Sequence, residues 1–223
     1  MATFLQWNCR GLRGSWVGLR VLISRYSPAC ICLQETMIGQ SDYPSPPGYR
    51  AFYSSLPGQG HSGGTAILVR NDIPYTSLHL NTPLQAAVIQ IFLNRPYTVC
   101  SLYLPPSDPI SRADLHRLVG GLPSPFLLLG DFNGRHPLWG DCTANPRGEL
   151  VSDFIGDEGL GVLNSGDMTH FHVQNGTFTA IDLSLCSSDS VLDFNWQVLP
   201  DLYDSNHFPI LLELAGSEPR LPR

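Results

Sequence analysis

The strongest constraint in this chain is the run Phe126-Leu127-Leu128-Leu129, which ends abruptly in Gly130-Asp131-Phe132-Asn133. Consecutive apolar residues of this length fit a strand covered on both faces, and such strands belong to sheets with a layer on either side. Where the apolar run stops, the chain reaches the rim of the sheet. Asp131 and Asn133 then stand beyond the dry core, with Phe132 between them pointing the other way. A carboxylate and an amide held there suit the activation of a water beside an anionic group. On its own the ending reads first as an ordinary strand-end turn, because Gly, Asp and Asn are common turn residues.

The same design recurs along the chain. Residues 3–8 read as a first strand ending at Asn8, followed by the turn-prone Arg10-Gly11-Leu12-Arg13-Gly14. Val17, Val21 and Leu22 have helical spacing, which predicts a helix over 17–26 stopped by Ser27-Pro28. Residues 29–33 read as a second buried strand, again with a polar ending, Gln34-Glu35-Thr36. Residues 42–60 form a Pro-, Gly- and Ser-rich stretch expected to be a loop, and a strand resumes over 63–70. Residues 87–93 and 97–104 predict a strand pair around Asn94-Arg95-Pro96, with Tyr103 near the end of the second. Helices are expected over 110–120 and 151–158, and Val162-Leu163 is a short strand running into Asn164. Residues 177–185 alternate and carry Asp182; 208–214 read as a final strand preceded by Ser205-Asn206-His207. Many short strands with a few helices between them predict an α/β domain of two packed sheets flanked by helices.

Composition narrows the class. The 223 residues allow one large domain or two small ones, and one layered domain is expected from the 43% apolar content. No apolar run approaches the ~20 residues of a membrane span, and no basic-then-apolar signal pattern opens the chain. Six cysteines without a CxxC pair predict reduced, mostly buried thiols, and Cys30 and Cys32, two apart in a strand, share a face. The formal charge of −6 argues against a broad nucleic-acid-coating surface but leaves room for a local phosphate site. All 13 basic residues are arginine, which coding bias explains first, although each can form a bidentate fork with phosphate. An acidic site that handles a phosphodiester needs a divalent cation beside it.

Asn8, Glu35, Tyr103, Asp131, Asn133, Asp182 and His207 all fall at strand ends. Phosphodiester hydrolysis needs charge neutralisation, a base or positioned water, donors for the transition-state oxygens and help for the leaving oxygen. That set of residues contains a candidate for each task. The segments QWNCRGLRG, CLQET, GGTAILVR, SLYLPP, LLLGDFNGRHPLWG, FTAIDLSL and SNHFPILLEL occur in the order found in the endonuclease/exonuclease/phosphatase superfamily. They most resemble the apurinic-endonuclease-like domain of non-LTR retrotransposons, from Trp7 to about Leu214. The resemblance implies a four-layered α/β sandwich with two packed mixed β-sheets flanked by helices, the DNase I-like fold.

By that resemblance Glu35 is the main metal-binding carboxylate, holding magnesium with manganese as a substitute, Asn8 orients both the metal shell and the phosphate, and Asn206 completes the metal shell. Asp131 orients or deprotonates the attacking water, Asn133 and Tyr103 contact the phosphate, and Asp182 holds the catalytic His207 in one tautomer. Two positions depart from the pattern. Ser205-Asn206-His207 stands where Ser-Asp-His is common, so the ligand at 206 brings an oxygen without a charge. Arg10 stands two residues after Asn8 where repair enzymes tend to carry Asp; it is either a DNA-phosphate contact or an exposed turn arginine.

Gly134-Arg135-His136-Pro137-Leu138-Trp139-Gly140 favours the retrotransposon branch over the repair branch. The resemblance then implies a single domain over 1–223 at the N-terminal end of a longer polyprotein, acting in the nucleus on double-stranded DNA. Its nick would expose a 3′-hydroxyl that primes a downstream reverse transcriptase domain, and the isolated domain is expected to be a monomer. The alternatives are an abasic-site repair nuclease and a catalytically weakened DNA-binding module. Groove-reading loops are expected within 42–61, 135–147 and 170–176.

Overall fold

The computed structural model describes residues 2–38, 45–54 and 63–215. In chain order the elements are β1 (Thr3–Asn8), α1 (Trp16–Tyr26), β2 (Cys30–Gln34), β3 (Tyr49–Ser54), β4 (Thr65–Arg70), β5 (Tyr75–Ser77), β6 (Gln85–Phe92) and β7 (Pro96–Tyr103). There follow α2 (Arg112–Gly120), β8 (Phe126–Asp131), α3 (Pro146–Glu158), β9 (Gly161–Val162), β10 (His170–His172), β11 (Thr177–Thr179), β12 (Asp182–Cys186), β13 (Phe194–Val198) and β14 (Ile210–Leu214). Two six-stranded sheets run β13-β14-β1-β2-β4-β3 and β5-β6-β7-β8-β12-β9, and β10-β11 form a separate ribbon. Each large sheet holds one parallel pair closed by a helix, β1–α1–β2 in the first and β7–α2–β8 in the second. A parallel return requires such a crossover, and the helix lands on a face of its own sheet.

Period-2 alternation then sets the layers. On β1, Leu5 and Trp7 pack toward Leu19 and Leu22 of α1, while Phe4 turns the other way, into the core shared with Leu127 and Leu129 of β8. On β8, Phe126 and Leu128 pack with Leu115 and Leu118 of α2 and Phe154 of α3. The order is helix, sheet, sheet, helix, the four-layered α/β sandwich. Cys30 and Cys32 face the same inter-sheet core; all six cysteines are free, and only Cys142 is exposed. No helix among the described residues is long and apolar enough to cross a membrane.

The same parity brings polar side chains inward toward one end of the sandwich. Gln6 Nε2 donates to the Gly130 and Leu183 carbonyls at 3.1 Å each, and its Oε1 accepts from Ser184 Oγ at 2.7 Å. Gln34 Nε2 donates to Ser101 Oγ at 2.9 Å. These buried amides tie sheet to sheet beneath the rim where the candidate residues gather; Gln6 is bonded at both ends and Gln34 through its nitrogen alone, its Oε1 being buried without a partner.

Several expected elements need correction. The stretch 42–60 contains strand β3, held by antiparallel pairing with β4 from Tyr49 opposite Arg70 to Ser54 opposite Thr65; the remainder of 42–61, apart from residues 45–48, lies outside the described residues. The alternating run 177–185 is two strands, because Ala180 and Ile181 carry the chain from the ribbon strand β11 into β12 of the large sheet. Residues 170–172, expected in a loop, are strand β10. Helix α3 starts at Pro146 rather than 151, with Asn145 Oδ1 accepting from Gly148 N at 2.7 Å; Asn-Pro is an N-cap followed by a permitted first-turn proline. Strands β5 and β13 were not among the expected elements: β5 has only three residues, whereas β13, Phe194-Asn195-Trp196-Gln197-Val198, does alternate apolar and polar, and its burial follows that alternation.

Candidate active site

Both parallel pairs deliver their C-terminal ends to one rim. Asn8 ends β1, Glu35 follows β2, Tyr103 ends β7 and Asp131 ends β8. Tyr103 lies opposite Asp131 in the parallel register, and the antiparallel partner of Asp131 is Asp182 at the start of β12. His207 precedes β14. Carboxyl ends of parallel strands are where open α/β sheets place ligands, since the loops leaving them diverge.

The two sheets are joined at this rim by Asn8 Nδ2, which donates to Asp131 Oδ2 at 2.8 Å. Asp131 Oδ1 accepts from the backbone N–H of Asn133 at 3.0 Å. Asp131 is only 1% exposed. Burial, then the nearby Asp182, pushes its carboxyl up to about 7, against the pull of His207 and Asn8. Asp182 Oδ2 accepts from Thr169 Oγ1 at 2.7 Å and lies 2.8 Å from His207 Nδ1. Burial opposes a charge on His207, but the carboxylates of Asp182, Asp131 and Glu35 outweigh it and raise the imidazole to about 9. The Asp131, Asp182 and His207 ligand atoms lie within 4.8 Å of one another, close enough to hold a metal ion.

Tyr103 Oη donates to Glu35 Oε1 at 2.7 Å, and burial together with that carboxylate keeps the phenol protonated far above its usual range. Glu35 and Asn133 both sit in the left-handed region, at φ 49° and 52°, a local cost that the strand ends impose where the chain turns away. Asn133 Nδ2 donates to the Leu104 carbonyl at 3.2 Å, which leaves one amide hydrogen for a ligand. Arg10 is exposed, with its backbone N–H donating to Asn8 Oδ1 at 3.0 Å. Asn206 Nδ2 lies 2.7 Å from His170 Nε2, and its Oδ1 is buried with no hydrogen-bond partner.

Every expected site residue therefore reaches this one rim or the turn beside it. Three further contributors were not legible in the sequence. Thr169 anchors Asp182, and His170, which burial and the neighbouring His207 push down to about 3, meets Asn206. Arg147 donates to the carbonyls of Leu104, Pro105 and Asp108 at 3.1, 2.8 and 2.6 Å, bracing the loop after Tyr103 and sharing Leu104 with Asn133. Behind Asn133, Trp139 of the 135–140 turn is fully buried and donates Nε1 to the Gly134 and Ala180 carbonyls, so this turn is a strut under the site.

Residues 97–211, just over half of the chain, match the family described as Endonuclease-reverse transcriptase. The chain belongs to this endonuclease-reverse transcriptase family. Among its curated relatives, the RNA-directed DNA polymerase from mobile element jockey of Drosophila melanogaster is 27% identical over 97% of this chain and 24% of its own length. The probable RNA-directed DNA polymerase from transposon X-element, also of Drosophila melanogaster, is 25% identical over 98% of this chain and 25% of its own length. The chain thus spans about a quarter of the curated relatives it matches. Among solved structures, the endonuclease domain of TRAS1, a telomere-specific non-LTR retrotransposon, superposes with a TM-score of 0.83 at 23% identity, covering 98% of this chain and all of that one. The Xenopus laevis APE2 catalytic domain gives 0.76 at 18% identity over 95% and 91% of the two chains. Both likenesses establish the DNase I-like fold, and the family supports a nuclease function.

Proposed function

We propose that this chain is a divalent-cation-dependent endonuclease that hydrolyses one phosphodiester bond of double-stranded DNA, leaving a 3′-hydroxyl and a 5′-phosphate. The observation that carries the reading is the joining, at one rim, of a buried carboxylate with both oxygens held and an imidazole held by a second carboxylate. Burial raises the proton affinity of the Asp131 carboxyl, which suits it to accepting the proton of an attacking water. Its two oxygens are each fixed by one donor, so the water it holds is aimed. His207 has Nδ1 committed to Asp182, and Nε2 remains to donate to a phosphate oxygen as negative charge builds. Asn133, with one amide hydrogen free, flanks Asp131 as a further neutral donor, and Tyr103 would join it once its phenol hydrogen is freed from Glu35 by a bound cation.

A magnesium ion, for which manganese would substitute, fits the oxygen donors here: Glu35, whose Oε1 already meets Tyr103, with Asn8 and the unpartnered, buried Oδ1 of Asn206. When bound it would neutralise the phosphate and support the departing 3′-oxygen. His207 is a poor metal ligand in its charged form, so its closeness to Asp131 and Asp182 serves proton handling better than a cation cage. Arg10, exposed beside Asn8, would meet a backbone phosphate.

In the full-length protein the domain would act in the nucleus, and its 3′-hydroxyl would prime synthesis by a downstream reverse transcriptase. Purified protein is expected to relax supercoiled plasmid with magnesium and not with a chelator, and Asp131→Ala and His207→Ala are each expected to stop it; unchanged nicking by both variants overturns the assignment. Strong preference for an abasic duplex over an intact one would favour a repair nuclease instead. Asn206 favours one competing reading, a weakened DNA-binding module, which gains if the wild type is silent and Asn206→Asp nicks.

A further inference from the structure

The carboxamide of Asn206 has one end held and one end free. Its Nδ2 lies 2.7 Å from His170 Nε2, and His170 Nδ1 lies 3.1 Å from Thr179 Oγ1. An amide nitrogen can only donate, so the ring nitrogen facing it must accept; the ring proton then sits on Nδ1, where the Thr179 hydroxyl oxygen receives it. His170 is itself tightly held. It is 6% exposed, its backbone bridges His207, and its ring centroid lies 4.4 Å from that of His207 and 4.2 Å from that of His172. With Nδ2 toward the ring, the chain of contacts from Thr179 through His170 holds the carboxamide by its nitrogen and leaves Oδ1 as the free end. That oxygen is buried and unpartnered, as are Gln34 Oε1, Thr65 Oγ1 and Thr98 Oγ1 among the described residues, but of the four only Asn206 stands next to His207.

We propose that His170 is a positioning residue for the nuclease reaction, fixing the Asn206 carboxamide so that Oδ1 is presented to the divalent cation. The proposal rests on the cation-dependent reading above and explains how an amide serves there. An amide oxygen attracts a cation less than a carboxylate does, and a preset orientation offsets part of that deficit by removing rotamers that binding would otherwise have to freeze. A carboxylate at 206 has no hydrogen to give Nε2, so with this ring tautomer it would set lone pair against lone pair.

The test measures manganese binding by the loss of its free-ion paramagnetic resonance signal, with the magnesium midpoint of plasmid nicking as a second readout. His170→Phe keeps the ring's bulk and removes both nitrogens; it is expected to weaken manganese binding about tenfold, the size typical of losing an outer-shell partner. His170→Gln, whose Oε1 can accept the same hydrogen, is expected to recover most of that loss. In an Asn206→Ala background, His170→Phe should have little further effect, because the residue through which it acts is gone. A histidine that merely fills space would lower the melting temperature in both backgrounds without this coupling. Equal manganese affinity in wild type and His170→Phe overturns the proposal, as does an equal loss with and without Asn206. If the folded wild type binds no manganese, the cation-dependent reading fails as well; if it binds and the variants match it, this proposal fails alone.

Discussion

Gly130 is the residue that lets Asp131 sit where it does, and replacing it by alanine tests the architecture of the whole rim. A Cβ built on Gly130 would lie 2.2 Å from the Leu102 carbonyl oxygen, 2.9 Å from its carbon and 3.0 Å from Leu102 Cβ, whereas ordinary contact begins near 3.4 Å. Relief requires β7 and β8 to part locally by about 1.2 Å, the difference between 3.4 and 2.2 Å. The obstructing atom is main chain in a central, parallel pair, so no rotamer change can absorb the clash. Overpacking of this kind costs about 3 kcal/mol, the upper part of the usual range. With a urea slope of roughly 2 kcal/mol/M, the unfolding midpoint falls by about 1.5 M. The next pair in register is Tyr103 opposite Asp131, so the displacement reaches the candidate site directly. A misplacement on the order of 1 Å there lowers the nicking rate about 100-fold. Gly156→Ala is the control: it lies in α3 with nothing within 4 Å of the added carbon, and is expected to stabilise by about 0.5–1 kcal/mol without touching activity. A Gly130→Ala protein with the wild-type urea midpoint and nicking rate would refute the close-approach argument.

Asp182→Asn removes the charge that holds the His207 proton while keeping the shape that Thr169 contacts. Single-turnover nicking is expected to fall on the order of 10,000-fold, as when an imidazole loses its orienting carboxylate, and a loss below tenfold would exclude that role. Stability should also depend on pH through His207, whose imidazole is raised from 6.5 to about 9. The folded state then binds the proton more tightly, so this contribution is fully present below pH 6.5 and is lost as pH rises through 9. Calorimetry in chelator should show the melting temperature falling across that window, and His207→Gln should flatten the decline; a parallel decline in the variant assigns it to another group.

How much of this was readable in advance follows from the reach of each signal. Alternation along a strand is local. The sequence alone therefore determined that Asn8 shares a face with Phe4, that Asp131 shares one with Leu127 and Leu129, and that both stand where an apolar run ends. Motif order carried the layered fold and the family. Partners across the fold were a different matter, because which strand end meets which depends on sheet order and on loops whose lengths fix no direction. Only the tertiary structure joined Asn8 to Asp131, 123 residues apart, folded the 170–179 hairpin back so that His170 meets Asn206, and placed Arg147 behind the loop after Tyr103. It also decided what Gly130 is for. Glycine in that ending reads locally as a turn former, yet it sits inside β8 because the Leu102 carbonyl of the neighbouring strand occupies the space a side chain would need.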